Sequence, residues 1–486
     1  MEEIIGGLKT IWPYVLTAVH IVGACAVTVH AILRKHDIRA AIGWIGLAWL
    51  SPIIGTVAYM VLGINRIQRK GVSLGLMGAW DHDIKQVMTS EEESRVHKLG
   101  HTHPTFFSLG HLGEQVTGNK LLLGNAVLPL VNGDAAYPEM LAAIDAAKVS
   151  VALNSYIFDS DEVGEKFLSA LKLAQDRGVE VRVMIDGVGA KYSKPSMVDR
   201  LKKEGVHVAA FLPSRMPLAL PYANLRNHRK ILVVDGTIGF TGGTNIRIDH
   251  CLKRDPKFPV ACLHFKIEGP VVSELQEMFA IDWAFTTGES LIGPTWFPPL
   301  TRCGPVGARG IPDGPDEDLD KISEIVLGAL AVASKRVRIT TPYFLPDASI
   351  LNALTVTAMR GVEVDIIIPS KNNIAIMNWA VIPQLPHLIK KGCRIYMSPP
   401  PFDHTKLLVV DGLWSLIGST NWDPRSMRLN FEYNIECYDE TLAGELDEVI
   451  DQKLARSHRV TVEEIESRPL LIQLRDGAAR LFSPYL

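Results

Sequence analysis

The 486 residues include only six cysteines, and no two of them form a C-x-x-C pair or any other zinc-like spacing. Cys25, Cys251, Cys262, Cys303, Cys393 and Cys437 read as scattered thiols, which excludes a disulfide scaffold and a thiolate metal site. An excess of basic charge is missing too, since the formal net charge is −3. That balance excludes the strongly positive surface of a dedicated nucleic-acid binder, so no nucleic-acid partner is expected. Charge of either sign is absent from two long stretches. Residues 11 to 33 and 40 to 64 contain no Asp, Glu, Lys or Arg over 23 and 25 positions. Either run can cross a hydrocarbon core of about 30 Å at about 1.5 Å per helical residue. The expectation is an N-terminal transmembrane helical hairpin within residues 1–70. The chain starts Met-Glu-Glu, unlike a cleaved leader with its basic stretch and single shorter apolar run. Arg34, Lys35 and Arg39 lie between the runs, against Lys9, Arg66, Arg69 and Lys70 flanking them. Three against four leaves the sidedness balanced, with a slight lean to a cytoplasmic catalytic part.

A Gly-rich connector follows over 71–120, with His97, His101, His103 and His111. No carboxylate or cysteine sits at ligand spacing among them, so no metal is expected. Beyond it, β-branched runs alternate with helical patterns, as in an α/β sheet built from crossover units. Candidate strands at 149–158, 179–185, 206–211 and 228–234 are answered in the same order by 336–344, 362–368, 393–397 and 404–410. The repetition is sharpest at "NHRKILVVDGTIGFTGGTNI", residues 227–246, and "DHTKLLVVDGLWSLIGSTNW", residues 403–422. His228 and His404, Lys230 and Lys406, Asp235 and Asp411, and Asn245 and Asn421 are each 176 residues apart, which marks an internal duplication. Upstream the offset is larger, 186 from Asp161 to Asp347 and 183 from Glu180 to Glu363. The first copy therefore carries about ten extra residues within 213–226, a Pro-rich, apolar stretch expected to be a loop at the mouth of the site. Domain limits follow at 121–300 and 301–486.

The residue types suit displacement at phosphorus. On a strand, side chains two apart share a face, so each histidine is expected beside its lysine. The aspartate at the strand's end is expected to come near an imidazole and fix its tautomer. The small residues before each asparagine, including Ser419, are expected to let backbone N–H groups approach an anion. One copy supplies an attacking group; two facing copies add a proton donor on the other side, with paired lysines and asparagines around the equatorial charge.

The paired H-x-K-x4-D units with trailing G-G/S-x-N resemble the phospholipase D superfamily. The hairpin ending "GIN", "NLRNHRKILVVDG", "TPYFLPD" at 341–347 and "GSTNWDPRSMRLNFEYNIECYD" at 418–439 resemble, more closely, its bacterial cardiolipin synthases. The resemblance implies a mixed α/β fold, a duplicated phospholipase D-type α/β/α sandwich with pseudo-two-fold symmetry behind the hairpin. It implies a multi-pass protein of the bacterial inner membrane and a cofactor-free transfer between two phosphatidylglycerol molecules, giving cardiolipin and glycerol. His228 is then the nucleophile that forms a phosphatidyl-histidine, His404 the acid and base, and Glu432 the carboxylate behind a histidine. The first copy departs from the pattern at Ala261, Cys262 and Leu263, where such synthases carry a carboxylate. Aligning Glu268 with Glu436 sets His264 opposite Glu432. The other readings are a phospholipase D or a different phosphatidyltransferase of the superfamily, a nuclease, and a membrane-anchored binding protein.

Overall fold

The computed structural model describes residues 2–35, 38–63, 104–213, 225–315 and 318–483. His97, His101, His103 and residues 214–224 of the extra stretch lie outside them. Two compact units result, one within residues 2–63 and one from the remaining described residues.

In the first unit, helix α1 (Glu2–Arg34) contains the apolar stretch Trp12–Arg34. Among the described residues it is the one helix long and apolar enough to cross a bilayer. The second apolar run does not make the expected continuous span. Helix α2 (Ile38–Leu50) has 13 residues, about 20 Å of rise. It stops at Ser51-Pro52, where Ile53 adopts a φ of 62°, and the chain reverses into α3 (Ile54–Ala58). Gly55 packs so closely on the preceding helix that a Cβ there would sit 2.2 Å from the Leu47 carbonyl oxygen. The Trp44 and Tyr59 rings lie 5.4 Å apart, although a separation of fifteen residues in straight helix would span about 22 Å. Proline and the left-handed residue after it break a run that composition alone reads as uniform. Hydrogen bonds from Trp49 Nε1 to Thr28 Oγ1 (3.0 Å) and between Tyr59 Oη and His30 Nδ1 (2.7 Å) tie the folded-back pair to α1.

The second unit is organised around a continuous sheet. Its first half contributes β1 (Leu122–Val131), β2 (Ser150–Ser155), β3 (Glu180–Asp186), β4 (Val208–Phe211), β5 (Arg226–Asn227), β6 (Ile231–Val234), β7 (Ile238–Gly242), β8 (Val260–Ala261) and β9 (Leu263–Glu268). The second contributes β10 (Val306–Asp313), β11 (Arg336–Thr340), β12 (Glu363–Pro369), β13 (Arg394–Ser398), β14 (Phe402–Asp403), β15 (Leu407–Val410), β16 (Trp414–Gly418), β17 (Asn430–Tyr438) and β18 (His458–Arg459). Antiparallel β1 and β10 form the seam. Outward from it the order is β9-β7-β6-β2-β3-β4 on one side and β17-β16-β15-β11-β12-β13 on the other. Inner strands pair antiparallel, whereas β2-β3-β4 and β11-β12-β13 are parallel and need crossover helices. Asp161 and Asp347, matched in the sequence at an offset of 186, prove to be equivalent caps. Each carboxylate accepts the first free N–H groups of a crossover helix, from Val163 and Gly164 and from Ser349 and Ile350. Each half has its own apolar core, built on Val151, Val181, Val183 and Phe240 in one and on Val337, Ile339, Val364 and Val410 in the other.

Candidate active site

The two histidines meet because the segment before each one joins the opposite half. β5 pairs in parallel with the start of β17, and the His228 N–H extends that ladder to the Phe431 carbonyl at 2.9 Å. β14 pairs in the same way with β8, and the His404 N–H reaches the Ala261 carbonyl at 2.7 Å. The imidazole centroids come to 6.4 Å at an interplanar angle of 85°. The strands themselves begin later than expected, at Ile231 and Leu407, so each His-x-Lys lies in extended chain just ahead of its strand. Alternation still holds. Lys230 Nζ and Lys406 Nζ fold back to the carbonyls of His228 and His404, at 2.6 and 2.7 Å. The intervening residues turn away: Asn227 and Arg229 both donate to the buried Asp282 carboxylate, and Arg229 Nε donates to the Glu432 carbonyl at 2.9 Å. On the other side Asp403 pairs with buried Lys453. Sequence reasoning missed Arg229, Asp282 and Lys453; for Arg229 the signal was a charged residue alternating with the motif residues ahead of an apolar run.

Asp235 and Asp411 do not approach the imidazoles, correcting the expected tautomer-fixing role. With φ of 51° and 54°, followed by Gly236 at 64° and Gly412 at 66°, each Asp-Gly forms the left-handed turn of a tight hairpin at the far end of its strand. From His228 to Asp235 is seven residues of extended chain, about 23 Å. The Asp235 carboxylate accepts N–H groups of Lys148, Val149 and Ser150, and that of Asp411 those of Ser334, Lys335 and Arg336. They clamp the starts of β2 and β11. The expected anion-binding amides are likewise engaged elsewhere, since Gly243 N–H and Ser419 N–H donate to the carbonyls of Leu263 and Tyr433. Asn245 Oδ1 accepts from Ile157 N–H at 3.3 Å, and Asn421 Nδ2 donates to Ser426 Oγ at 3.0 Å.

The halves differ behind their histidines. His228 Nδ1 lies 2.8 and 2.9 Å from the two oxygens of Glu432, which is fully buried and also accepts from Ser419 Oγ at 2.5 Å and Asn430 Nδ2 at 3.2 Å. His404 Nδ1 instead faces the Gly243 carbonyl at 3.0 Å. A carbonyl only accepts, so that nitrogen carries the proton and Nε2 is left bare in the neutral ring. The ladders also correct the alignment. Asn227 faces Phe431 and Asp403 faces Ala261, while Gly242 faces His264 and Gly418 faces Asn434. His264 is thus the counterpart of Asn434, and Cys262 that of Glu432. Gly243 stands where the second half has Ser419. A Cβ at Gly243 would fall 2.6 Å from Cys262 Sγ and 2.8 Å from the His404 carbonyl, so serine is excluded here by packing.

Burial dominates the electrostatics. It lowers His228 to about 4, against the pull of Glu432, while Lys230 adds to the lowering. Burial, Lys406 and Lys230 together hold His404 well below the usual imidazole range. Lys230 is pushed down to about 7 and Lys406 to about 8, again chiefly by burial. Burial acts to raise Glu432, but His228, Lys230 and Ser419 outweigh it and keep the carboxyl below its ordinary value. Two lysines and two histidines share the buried Glu432 carboxylate, so the cluster carries an excess of potential positive charge and gains from binding an anion.

Residues 140–283 and 326–454, more than half the chain, match the family described as cardiolipin synthase, PLD-like domain. The chain belongs to this family. Each matched segment of the PLD-like domain contains one His-x-Lys motif. The chain is 30% identical over 465 residues to the major cardiolipin synthase ClsA of Bacillus subtilis (strain 168), covering 93% of this chain and 95% of that protein. It is 29% identical over 486 residues to a cardiolipin synthase of Listeria welshimeri serovar 6b, covering 97% and 99%. Among solved structures, phosphatidylserine synthase of Haemophilus influenzae Rd KW20 superposes with a TM-score of 0.60 at 14% identity, over 78% of this chain and 100% of that one, and so shares its fold.

Proposed function

We propose that this protein is a cardiolipin synthase that transfers a phosphatidyl group between two phosphatidylglycerol molecules. The observation that carries the reading is the His228–Glu432 pair facing His404 across one buried, lysine-lined site. His228 Nε2 attacks the phosphorus of the first lipid, forming an N–P bond. Glu432 stabilises the positive charge that develops on the ring. The bound phosphodiester opposes the influence of Lys230 and Lys406 on His404, so His404 takes up a proton and delivers it from Nε2 to the departing glycerol oxygen. In the second step a hydroxyl of the second phosphatidylglycerol returns a proton to His404 and attacks phosphorus, breaking the N–P bond. One phosphodiester replaces another. Lys230 and Lys406 carry the equatorial charge, with Asn245 and Asn421 beside them. Turning the Asn421 amide lets Ser426 O–H donate to its oxygen and offers its NH2 to the anion.

The symmetric strand order supports a duplicated α/β/α sandwich, its copies within 121–300 and 301–486; of the connector expected over 71–120, the described helix Pro104–Thr117 instead packs Phe106 and Leu109 into the core of the second half. The reversal after α2 supports one crossing helix and a re-entrant pair in place of a two-span hairpin. A re-entrant pair returns the chain to the side that holds Arg34, Lys35 and Arg39, with Lys9 at the opposite end of α1. Three against one favours a cytoplasmic catalytic unit. Exposed Cys303 reports on it, because a membrane-impermeant maleimide should label it only after cells are permeabilised. Purified protein given labelled phosphatidylglycerol alone should release glycerol and form labelled cardiolipin. A requirement for a nucleotide-activated lipid, or phosphatidic acid as sole product, would assign it another reaction.

A further inference from the structure

The last described helix, Leu470–Leu481, runs about 18 Å at the surface. Its inner side is set by Asp476 and Ala479, which are buried. The opposite side carries Leu470, Leu471, Leu474 and Leu481, with Phe482 at its end, exposed by 69, 80, 60, 79 and 56%. At about 100° per residue these five lie within about 120° of one another. Single exposed leucines need no explanation; a contiguous row of five large apolar side chains does. The charges beside the row are mainly basic. Arg468 and Arg475 share one acid, Asp476, at 2.6 and 2.7 Å, and Arg480 lies on the flank away from Arg475, so residues 468–482 hold three arginines and one carboxylate. Basic flanks beside an apolar stripe match the layering of an anionic bilayer surface, with headgroup phosphates above acyl chains.

We propose that this helix docks the catalytic unit on the surface of an anionic lipid bilayer, inserting Leu470, Leu471, Leu474, Leu481 and Phe482 among the acyl chains while Arg480 meets lipid phosphates. It rests on the reading of a membrane lipid as substrate, for a phosphate held at the bilayer surface must be reached by a unit whose own site is buried. The test needs no turnover. The full chain, with Cys25 and Cys303 replaced, is reconstituted in vesicles of phosphatidylglycerol and phosphatidylcholine carrying acyl-chain quenchers, and a fluorophore is attached at Leu471→Cys, Leu474→Cys or, as a control off the stripe, Gln473→Cys. Labels at 471 and 474 should be quenched several-fold more than the label at 473, and more in anionic than in neutral vesicles. Equal quenching at all three positions overturns the proposal. So does loss of quenching on dilution with crosslinking between 471 positions, which gives the stripe to a second copy of the chain. In a separate assay, Leu471→Ser with Leu474→Ser should lower turnover of vesicle lipid about tenfold and leave monomeric short-chain phosphatidylglycerol unaffected. Absence of all turnover in the unmodified protein would instead count against the synthase reading and leave the quenching result standing.

Discussion

The two halves of the sheet are built to the same strand order, yet they support their histidines differently. Glu432 and Ser419 stand behind His228, whereas Cys262 and Gly243 occupy the matching positions beside His404. A charged acceptor stabilises an imidazolium far better than a carbonyl does. In the proposed reaction, the half-site with Glu432 suits the ring that becomes cationic when bonded to phosphorus, and the ring held by Gly243 suits an acid that gives up a proton and takes one back. The two halves share a strand order, and two differences behind the histidines set them apart.

The strongest way to break this comparison is to remove either histidine. His228→Ala and His404→Ala should each lower cardiolipin formation by at least about 10³-fold in folded protein, and the double variant should be scarcely worse, because the pair acts as one unit. Appreciable turnover in either single variant, assayed with purified protein, contradicts a shared site. The backing residues sharpen the contrast. Glu432→Gln should lower kcat by about 10²-fold or more with its fold retained, while Cys262→Ala should stay within about twofold of the parent. Similar losses in the two would mean that the half-sites are functionally alike.

A smaller effect is expected from pH. Burial lowers Lys230 to about 7 and Lys406 to about 8, and the protonated forms are the ones that bind phosphate. kcat/KM should hold on the acid side of these values, where His228 at about 4 is still neutral, and fall as pH rises through 7 to 8. Lys230→Arg should shift that fall to higher pH. A profile that rises through this range would mean that the lysines act unprotonated. Weakest on chemistry is Asp235→Ala, which leaves three N–H groups of the β2 start without their acceptor. It should destabilise by about 1–3 kcal/mol in a denaturant melt and change kcat little. A large fall in kcat at unchanged stability would restore a direct role for the aspartate.

That last residue shows how far the sequence could be read. The fixed 176-residue offset revealed the pairing of histidines and lysines, because residues repeated at equal spacing survive only where both copies use them. The aspartate shares that spacing for another reason, as the Asp-Gly of a left-handed turn; spacing does not distinguish a shared site from a shared fold. Glu432 was visible by resemblance, but its partner depended on strand crossing between halves. Opposing it to His264 followed from aligning acidic residues, where the ladders match ladder positions and select Cys262. Arg229 was hidden in plain sight, its burial depending on Asp282 some fifty residues away. In the first unit, absence of charge made the second apolar run look like one continuous helix, and the break at Pro52 and Ile53 divides it into shorter ones.

The division of labour between the halves is most directly tested by trapping the intermediate. A phosphatidyl donor with a p-nitrophenolate leaving group needs no proton to depart, so His404→Ala should still be phosphatidylated by it and, lacking its base, should retain the group. Mass spectrometry of the quenched protein should then place the phosphatidyl group on His228, with none bound by His228→Ala. A phosphatidyl group found on His404 of the His228→Ala variant, and none on His228 of the other, would reverse the roles assigned here.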